Sequence, residues 1–434
     1  MKQQYDSYKP SGIDWIGDIP SYWVCIKTLH ALAMPITDGP HETPQLYDCG
    51  IPFISAEAIS SGEIRFENMR GYISEEFYNQ CCKKYIPQRN DIYMTKSGAS
   101  TGRVALVNTD EAFTIWSPLA AFRANNEVTD YKYLYYVLRS ECYQKQVENG
   151  WSFGTQQNIG MRTLERLKIP FPPLKEQLSI ANWLDAKCGK IDAAIVKVER
   201  EIELIDELKQ SEISRVVTRG LNPEAPMRPS GIDWIGDIPE HWTKCRLKFI
   251  GSARNGLTYS PSDVKDSGKL VIRSSNIQDA KLNYDDCVFV ANYPETLSVN
   301  SGDTIICSRN GSINLIGKSV FIEDDMDVTF GAFMMRFRPY EHPKYSHYLL
   351  SIAISQYKGL FATTTINQLT ADSLGKMEAV MPPYMEQVQI ADYLDKKCAE
   401  IDGLKANLTK KRETLTELRQ SIISEVVTGK QKVI

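Results

Sequence analysis

The chain has 434 residues, 42% hydrophobic and 24% charged, a mix that excludes a disordered polymer and exceeds what one ordinary core holds. Two globular units of about 150 residues each, plus connectors, fit this length. A net charge of −4 excludes a free-standing, sequence-blind nucleic-acid binder that lives on phosphate neutralisation, although local basic patches stay open and a partner would then supply much of the phosphate grip.

In chain order, the first element is a motif. SGIDWIGDIP runs from Ser11 to Pro20 with Trp23 behind it, and returns from Ser230 to Pro239 with Trp242 behind it. A second signature, Ile169-Pro170-Phe171-Pro172-Pro173-Leu174-Lys175-Glu176-Gln177, returns as Met381-Pro382-Pro383-Tyr384-Met385-Glu386-Gln387. The chain is therefore two copies of one unit, with the stretch between signatures nine residues shorter in the second copy. Segment 1–23 opens the first copy. Residues 24–170 read as a mixed α/β domain, with a β-rich run at Ile51-Pro52-Phe53-Ile54 and amphipathic helical character from Tyr131 to Val147.

Residues 171–219 change character and predict one long helix. Apolar residues fall at Ile191, Ile195, Val198, Ile202 and Ile205, a coiled-coil stripe. Some 45 residues at 1.5 Å rise make a rod about 65 Å long. Gly220-Leu221-Asn222-Pro223 ends it and begins a linker, so 220–242 comprises linker and second opening motif. Residues 243–380 form a second mixed domain barely related to the first, with a β-rich run at Lys269-Leu270-Val271-Ile272 and a helix from Tyr345 to Tyr357. Residues 381–429 repeat the long helix, with the stripe at Ile401, Leu404, Leu408, Leu415, Leu418 and Ile422, and Lys411 interrupting. The expected partner of each rod is the other, antiparallel, so that a pseudo-twofold axis sets the two domains at opposite ends of a coil. The alternative is a helix packed on its own domain. The fold class expected is mixed α/β: two globular domains separated by two long antiparallel coiled-coil helices.

The unlike domains hold weakly alignable polar stretches. Lys96-Ser97-Gly98 aligns with Arg309-Asn310-Gly311, Gly102-Arg103 with Gly317-Lys318, and Thr155-Gln156-Gln157-Asn158 with Thr365-Ile366-Asn367-Gln368. Arg or Lys can pair with guanine, and Asn or Gln with adenine, in the major groove. Candidate DNA contacts are thus Lys96, Ser97, Arg103, Gln156, Gln157 and Asn158 in the first domain. In the second they are Arg309, Asn310, Asn314, Lys318, Asn367 and Gln368, with Arg273, Ser274 and Asn276 weaker. Many of these residue types also form turns or cap helices, as Asn158 and Asn367 would. Trp15, Trp23, Trp234 and Trp242 either anchor each domain onto the coil or form a patch for a partner. Glu176-Gln177 and Glu386-Gln387 are either first-turn residues favoured by the helix dipole or partner contacts.

Chemistry-bearing motifs are decoys. Gly311 to Ser319 ends like a phosphate-binding loop, but five residues separate its glycines where that loop has four. Met381-Pro382-Pro383-Tyr384 resembles the Asp/Asn-Pro-Pro-Tyr of adenine methyltransferases, yet neither Met381 nor its counterpart Phe171 can accept a hydrogen bond from the target amine. No HExxH, GxSxG or paired-carboxylate nuclease pattern is found, so the chain reads as non-catalytic. Ten cysteines at irregular spacings, Cys81-Cys82 adjacent and none in CxxC, read as reduced thiols, and the thinly spread histidines predict no metal site. No apolar run reaches the roughly 18 to 20 residues of a membrane span, and Met1 to Pro10 has no signal-peptide core, so the expected location is cytoplasmic.

Both SGIDWIGDIP copies with their tryptophans, the two Pro-Pro-x-x-Glu-Gln signatures, the Gly220-Leu221-Asn222-Pro223 linker and both long helices together resemble the DNA-specificity subunit of Type I restriction-modification systems, over the whole chain. The resemblance implies two target-recognition domains, each reading one half of a bipartite, asymmetric site in double-stranded DNA. It also implies that two modification subunits dock on the frame and that restriction subunits join them. S-adenosylmethionine and ATP are then expected on those partners and no cofactor on this chain. The other reading is a non-catalytic protein-interaction scaffold that does not touch DNA.

Overall fold

The computed structural model describes residues 3–60, 62–153, 157–361 and 367–433. Among them are eight α-helices: α1 (Glu75–Cys82), α2 (Tyr131–Arg139), α3 (Glu141–Asn149), α4 (Met161–Arg166), α5 (Leu174–Arg219), α6 (Pro343–Tyr357), α7 (Ala371–Lys376) and α8 (Tyr384–Val427). The chain divides into two compact units, residues 1–199 with 409–434, and residues 200–408. Each unit therefore holds one globular domain together with part of both long helices.

In unit 1 a four-stranded antiparallel sheet runs in the order 104–106, 92–95, 119–122, 37–38, beside a three-stranded sheet ordered 114–115, 51–54, 71–73. Unit 2 repeats the plan. One sheet is ordered 251–255, 334–339, 304–307, 319–321, and the other 264–265, 289–290, 269–272, 328–330. The second sheet of each unit contains one parallel pairing, 51–54 with 114–115 and 269–272 with 328–330. The strand entering each domain pairs with the strand leaving it, Val24 opposite Phe171 and Thr243 opposite Met381. This pairing brings the SGIDWIGDIP end of each copy beside its Pro-Pro-x-x-Glu-Gln end.

Pro173 and Pro383 start the long helices, because each carbonyl accepts the first helical N–H groups, from Glu176 (2.8 Å) and Gln177 (3.0 Å) and from Glu386 (2.9 Å) and Gln387 (3.1 Å). Gly220 and Gly429 stop them at φ of +74° and +72°, a conformation that glycine adopts without penalty. The helical stretch from Tyr131 to Val147 is not one helix. Ser140 is extended, and its hydroxyl and N–H both bond back to the Val137 carbonyl, which divides the run into α2 and α3.

The long helices do both things the sequence left open. In unit 1, Ile180, Ala181, Leu184, Cys188 and Ile191 of α5 pack on Tyr133, Leu134 and Val137 of α2, and Ile422, Ile423, Val426 and Val427 of α8 join the same core. In unit 2 the roles exchange: Ile390, Ala391, Leu394 and Cys398 of α8 pack with Tyr345 and Leu349 of α6, while α5 contributes Ile213, Val216 and Val217. The helices also meet each other. In unit 2 Asp206 accepts from Lys405 (2.7 Å) and Asp402 from Lys209 (2.6 Å), so rising numbers on α5 face falling numbers on α8, an antiparallel pair. In unit 1 Arg419 pairs with Asp192, which is the Lys209–Asp402 pair of the other copy.

The predicted stripe needs one correction. Ile191, Val198 and Ile401 are buried, Ile195 and Leu415 pack partly against the core of unit 1, and Ile202, Ile205 and Leu408 are half-buried. Leu404 and Leu418, however, are 57% and 46% exposed. The inward line of α8 runs instead through Ile401, Lys405, Leu408, Arg412, Leu415, Arg419 and Ile422. Lys405 and Arg419 lay their methylene stems in the seam and send their charges to Asp206 and Asp192, positions that a search for apolar residues alone passes over.

Candidate nucleic-acid interface

The repeated frame is built around one carboxylate per copy. The Trp23 indole N–H donates to Glu176 Oε2 (3.2 Å), Tyr5 to Oε1 (2.7 Å) and Tyr22 to both oxygens (3.0 and 3.1 Å). Burial and the Glu176 charge push the Tyr5 phenol well above its ordinary range. In the second copy Trp242 Nε1 and His241 Nε2 lie 3.1 and 2.8 Å from Glu386 Oε2. A Cβ on Gly429 would lie 2.3 Å from Pro20 and 3.3 Å from Trp23, and one on Gly220 would lie 3.1 Å from Trp242, so glycine is needed where a helix end meets each tryptophan. Gln177 donates to the carbonyls of Pro172 (2.9 Å) and Val128 (3.1 Å) and accepts from Asp130 N–H (3.0 Å). Gln387 does the same with Pro382 (3.0 Å) and His342 N–H (3.1 Å).

These groups were candidates for gripping a partner, and five of them are internal. Trp23, Trp242, Glu176, Gln177 and Gln387 are buried and their hydrogen bonds are spent inside the unit, so they offer a partner no surface. Trp15 is 45% exposed, with Lys145 Nζ 5.7 Å from its ring centroid, while Trp234 and Glu386 are half-buried. Those three keep an accessible face.

The polar stretches of the unlike domains come together although some 60 residues separate them in sequence. In unit 1 Ser97 bridges Asn158, Gly98 N–H donates to the Gln157 carbonyl (2.9 Å) and Ile159 N–H to the Lys96 carbonyl (2.9 Å). In unit 2 Arg309 and Asn310 form a two-stranded ribbon with Gln368 and Asn367, and Leu369 N–H donates to the Ser308 carbonyl (2.8 Å). Arg103 and Lys318 close the turn on the other side, where their carbonyls accept from the sheet: Thr95 N–H donates to the Arg103 carbonyl (2.9 Å) and Cys307 N–H to the Lys318 carbonyl (2.7 Å). These equivalences set Lys96 against Ser308 and Ser97 against Arg309. The match of Lys96 with Arg309 expected from the sequence is thus one residue out of register, because charge and not backbone position suggests it.

Individual candidates then separate. Lys96 is only 12% exposed and lies 3.3 Å from the buried Asp38; burial opposes ionisation there, yet Lys84 and Lys96 hold that carboxyl below the usual carboxylate range. Asn276 is buried, accepting from Arg273 N–H (2.9 Å) and donating to the carbonyls of Asn283 (3.1 Å) and Asp286 (2.9 Å). Arg273 is tied to the Asp286 carboxylate (2.7 Å). Lys96 and the buried Asn276 thus have structural partners inside the domain, while Arg273 is half-exposed and paired with Asp286. Lys318 Nζ bonds the Ser274 carbonyl (3.3 Å), and Asn310 Oδ1 caps Ser312 N–H (3.0 Å). Arg103, Gln157, Asn158 and Asn314 are exposed, and Ser97, Arg309 and Gln368 half-exposed. Arg103 also lines an open cleft of about 420 Å³ with Arg139, Gln144 and Gln420. Gln156 and the Asn367 side chain lie outside the described residues.

Further side chains, none of them among the sequence candidates, brace each domain internally. Arg123 makes a two-pronged bond to buried Asp91 (2.7 and 2.7 Å), as Arg338 does to buried Asp303 (2.8 and 2.7 Å). Asp185 accepts from Lys132 (2.5 Å) and Tyr136 (2.8 Å), and Asp395 from Lys344 (2.6 Å) and Tyr348 (2.9 Å). A Lys-Tyr-x-x-Tyr spacing, Lys132-Tyr133 to Tyr136 and Lys344-Tyr345 to Tyr348, carried that signal in both copies. Among the described residues no group of three His, Cys, Asp or Glu could hold a metal, and no helix is long and apolar enough to cross a membrane.

Comparison with known proteins bears on the same repeat. A family described as the Type I restriction modification DNA specificity domain matches twice, over residues 42–204 and 239–411. The MjaVIII Type I restriction enzyme specificity subunit of Methanocaldococcus jannaschii is 24% identical over 85% of this chain and 85% of its own. The EcoKI specificity subunit of Escherichia coli is 29% identical over 45% of this chain and 44% of its own. A solved chain from work on complex assembly and conformational transition of the type I R-M system superposes at a TM-score of 0.65, with 17% identity, covering 94% of this chain and 98% of that one, which shows a shared fold. Two matched domains, on two copies of one frame, place this chain in the Type I restriction modification DNA specificity family.

Proposed function

We propose that the chain is the sequence-reading subunit of a Type I restriction-modification complex and recognises a bipartite, asymmetric site in double-stranded DNA, one half-site per domain. The observation that carries this reading is the pair of polar ribbons, 96–103 with 157–158 and 309–318 with 367–368, which sit at equivalent places on a repeated frame but differ in nearly every side chain. Equivalent placement makes both face DNA in the same manner, and unlike side chains make them prefer different bases. Arg103, Gln157, Asn158, Ser97, Asn310, Asn314, Lys318, Arg309 and Gln368 are the described side chains that would meet the duplex.

The same reading assigns catalysis to partners. Two modification subunits dock on the frame, with Trp15, Trp234 and Glu386 as the accessible candidates, and supply the S-adenosylmethionine chemistry, while restriction subunits bring ATP. A chain of net charge −4 needs such partners for much of its phosphate grip. Helices α5 and α8 set the gap between half-sites. The test is co-expression with a modification subunit followed by mapping of methylated adenines. A bipartite motif with unlike halves is expected; no methylation, together with no binding of duplex DNA by the purified complex, would favour the protein scaffold instead.

A further inference from the structure

Several cationic side chains of the second domain are tied to oxygens of that domain. Arg273 goes to Asp286, Arg338 to Asp303, Lys318 to the Ser274 carbonyl and Lys358 to the Asn314 carbonyl. Arg309 is held differently. Only donors of Arg309 face one end of the Gln368 amide, so that end is assigned as the carbonyl oxygen, which then accepts from Nε at 3.0 Å and from Nη2 at 2.7 Å. The two residues face each other across the ribbon as backbone partners, so the pairing is set by the strands. A neutral amide fixes the guanidinium plane without cancelling its charge, which a carboxylate would do.

The consequence is a choice of base. With Nε and one proton of Nη2 engaged, the guanidinium keeps its outer edge, one proton each on Nη1 and Nη2, as a fixed two-donor fork. Guanine presents two acceptors, O6 and N7, to that fork in the major groove; adenine presents N7 beside an amino donor, which opposes it. Gln368 cannot itself read adenine, because the carbonyl it would use is committed to Arg309. We propose that Arg309 reads a guanine in the half-site of the second domain, with Gln368 as its positioning residue. The inference rests on the proposed function. The structurally equivalent residues of unit 1, Ser97 and Asn158, carry no guanidinium, so this requirement belongs to one half-site only.

The test uses the chain assembled with its modification subunits on duplexes that carry each base in turn at every position of the wild-type motif. If the wild-type complex yields no bipartite motif, the proposed function fails, and this inference with it. Given that motif, Arg309→Ala should cut the preference for guanine at one position of one half-site by roughly 5- to 150-fold, the range of a two-pronged base contact, leaving the other half-site unchanged. Gln368→Ala should weaken the same preference by a smaller factor. Arg309→Lys keeps the charge without the fork and should relax the same position, which decides the matter should the alanine variant fail to assemble. Uniform loss of methylation with an unaltered motif would mean a phosphate contact and overturn the inference, as would relaxation at an adenine or in both half-sites.

Discussion

At Glu176 three donors, from Tyr5, Tyr22 and Trp23, converge on one largely buried carboxylate, while Glu386 in the second copy serves Trp242 and His241 and is more exposed. Removing an acceptor strands each buried donor at about 1–3 kcal/mol. Tyr5 and Trp23 are the buried donors, so Glu176→Ala should cost about 2–6 kcal/mol, and Glu386→Ala distinctly less, as read by urea denaturation of each variant. His347 offers a pH test. Burial pushes it down to about 4 from an ordinary value of 6.5. The folded protein keeps it neutral while the unfolded chain takes up a proton below 6.5, so its contribution is full above that pH and is lost as pH falls toward 4, by no more than about 2–3 kcal/mol given its remaining exposure. His347→Gln should flatten stability between pH 7 and pH 4.5 relative to the parent; an unchanged slope would remove His347 as the cause. Residue types alone did not separate Lys96 and Asn276 from true surface groups. Whether a lysine meets Asp38 or an asparagine meets Asn283 depends on chain brought in from nearly 60 residues away or folded back as a loop, and local polarity carries no trace of it.

Between elements, the pairing of α5 with α8 joins half-buried apolar residues to charge pairs that recur in both copies, Asp192–Arg419 and Asp402–Lys209, with Asp206–Lys405 present once. The pairs are partly exposed, so each is worth about 0.2–1 kcal/mol, and their weight lies in fixing register more than in stability. Reversing Arg419→Asp alone should destabilise unit 1 by about 1 kcal/mol through repulsion from Asp192, and adding Asp192→Arg should restore most of it; a double-mutant cycle measures the coupling. Helix existence, length and the Gly220 stop were legible because a 3.6-residue rhythm without proline for 46 residues admits little else. The inner line of α8 was not, because Lys405 and Arg419 fill seam positions as stems, a role that hydrophobicity does not report.

For the molecule as a whole, repetition was the most legible property. Two copies of SGIDWIGDIP and of Pro-Pro-x-x-Glu-Gln announced a duplicated frame, and the structure accounts for their retention: entry and exit strands pair, a tryptophan meets a carboxylate, and a glycine lets a helix end close on that tryptophan. The domain interiors kept the sheet plan while their loops diverged, so the face that would read DNA was legible only as scattered polar stretches until the ribbons joined them. The central claim is that this frame spaces two independent readers. Four residues inserted into α5 and four into α8 add about 6 Å, close to two base-pair steps, and turn each helix by only some 40°. Mapping methylated adenines for that variant, co-expressed with its modification subunits, should return both half-sites unaltered with a gap two base pairs longer. An unchanged gap, or altered half-sites, would contradict the account.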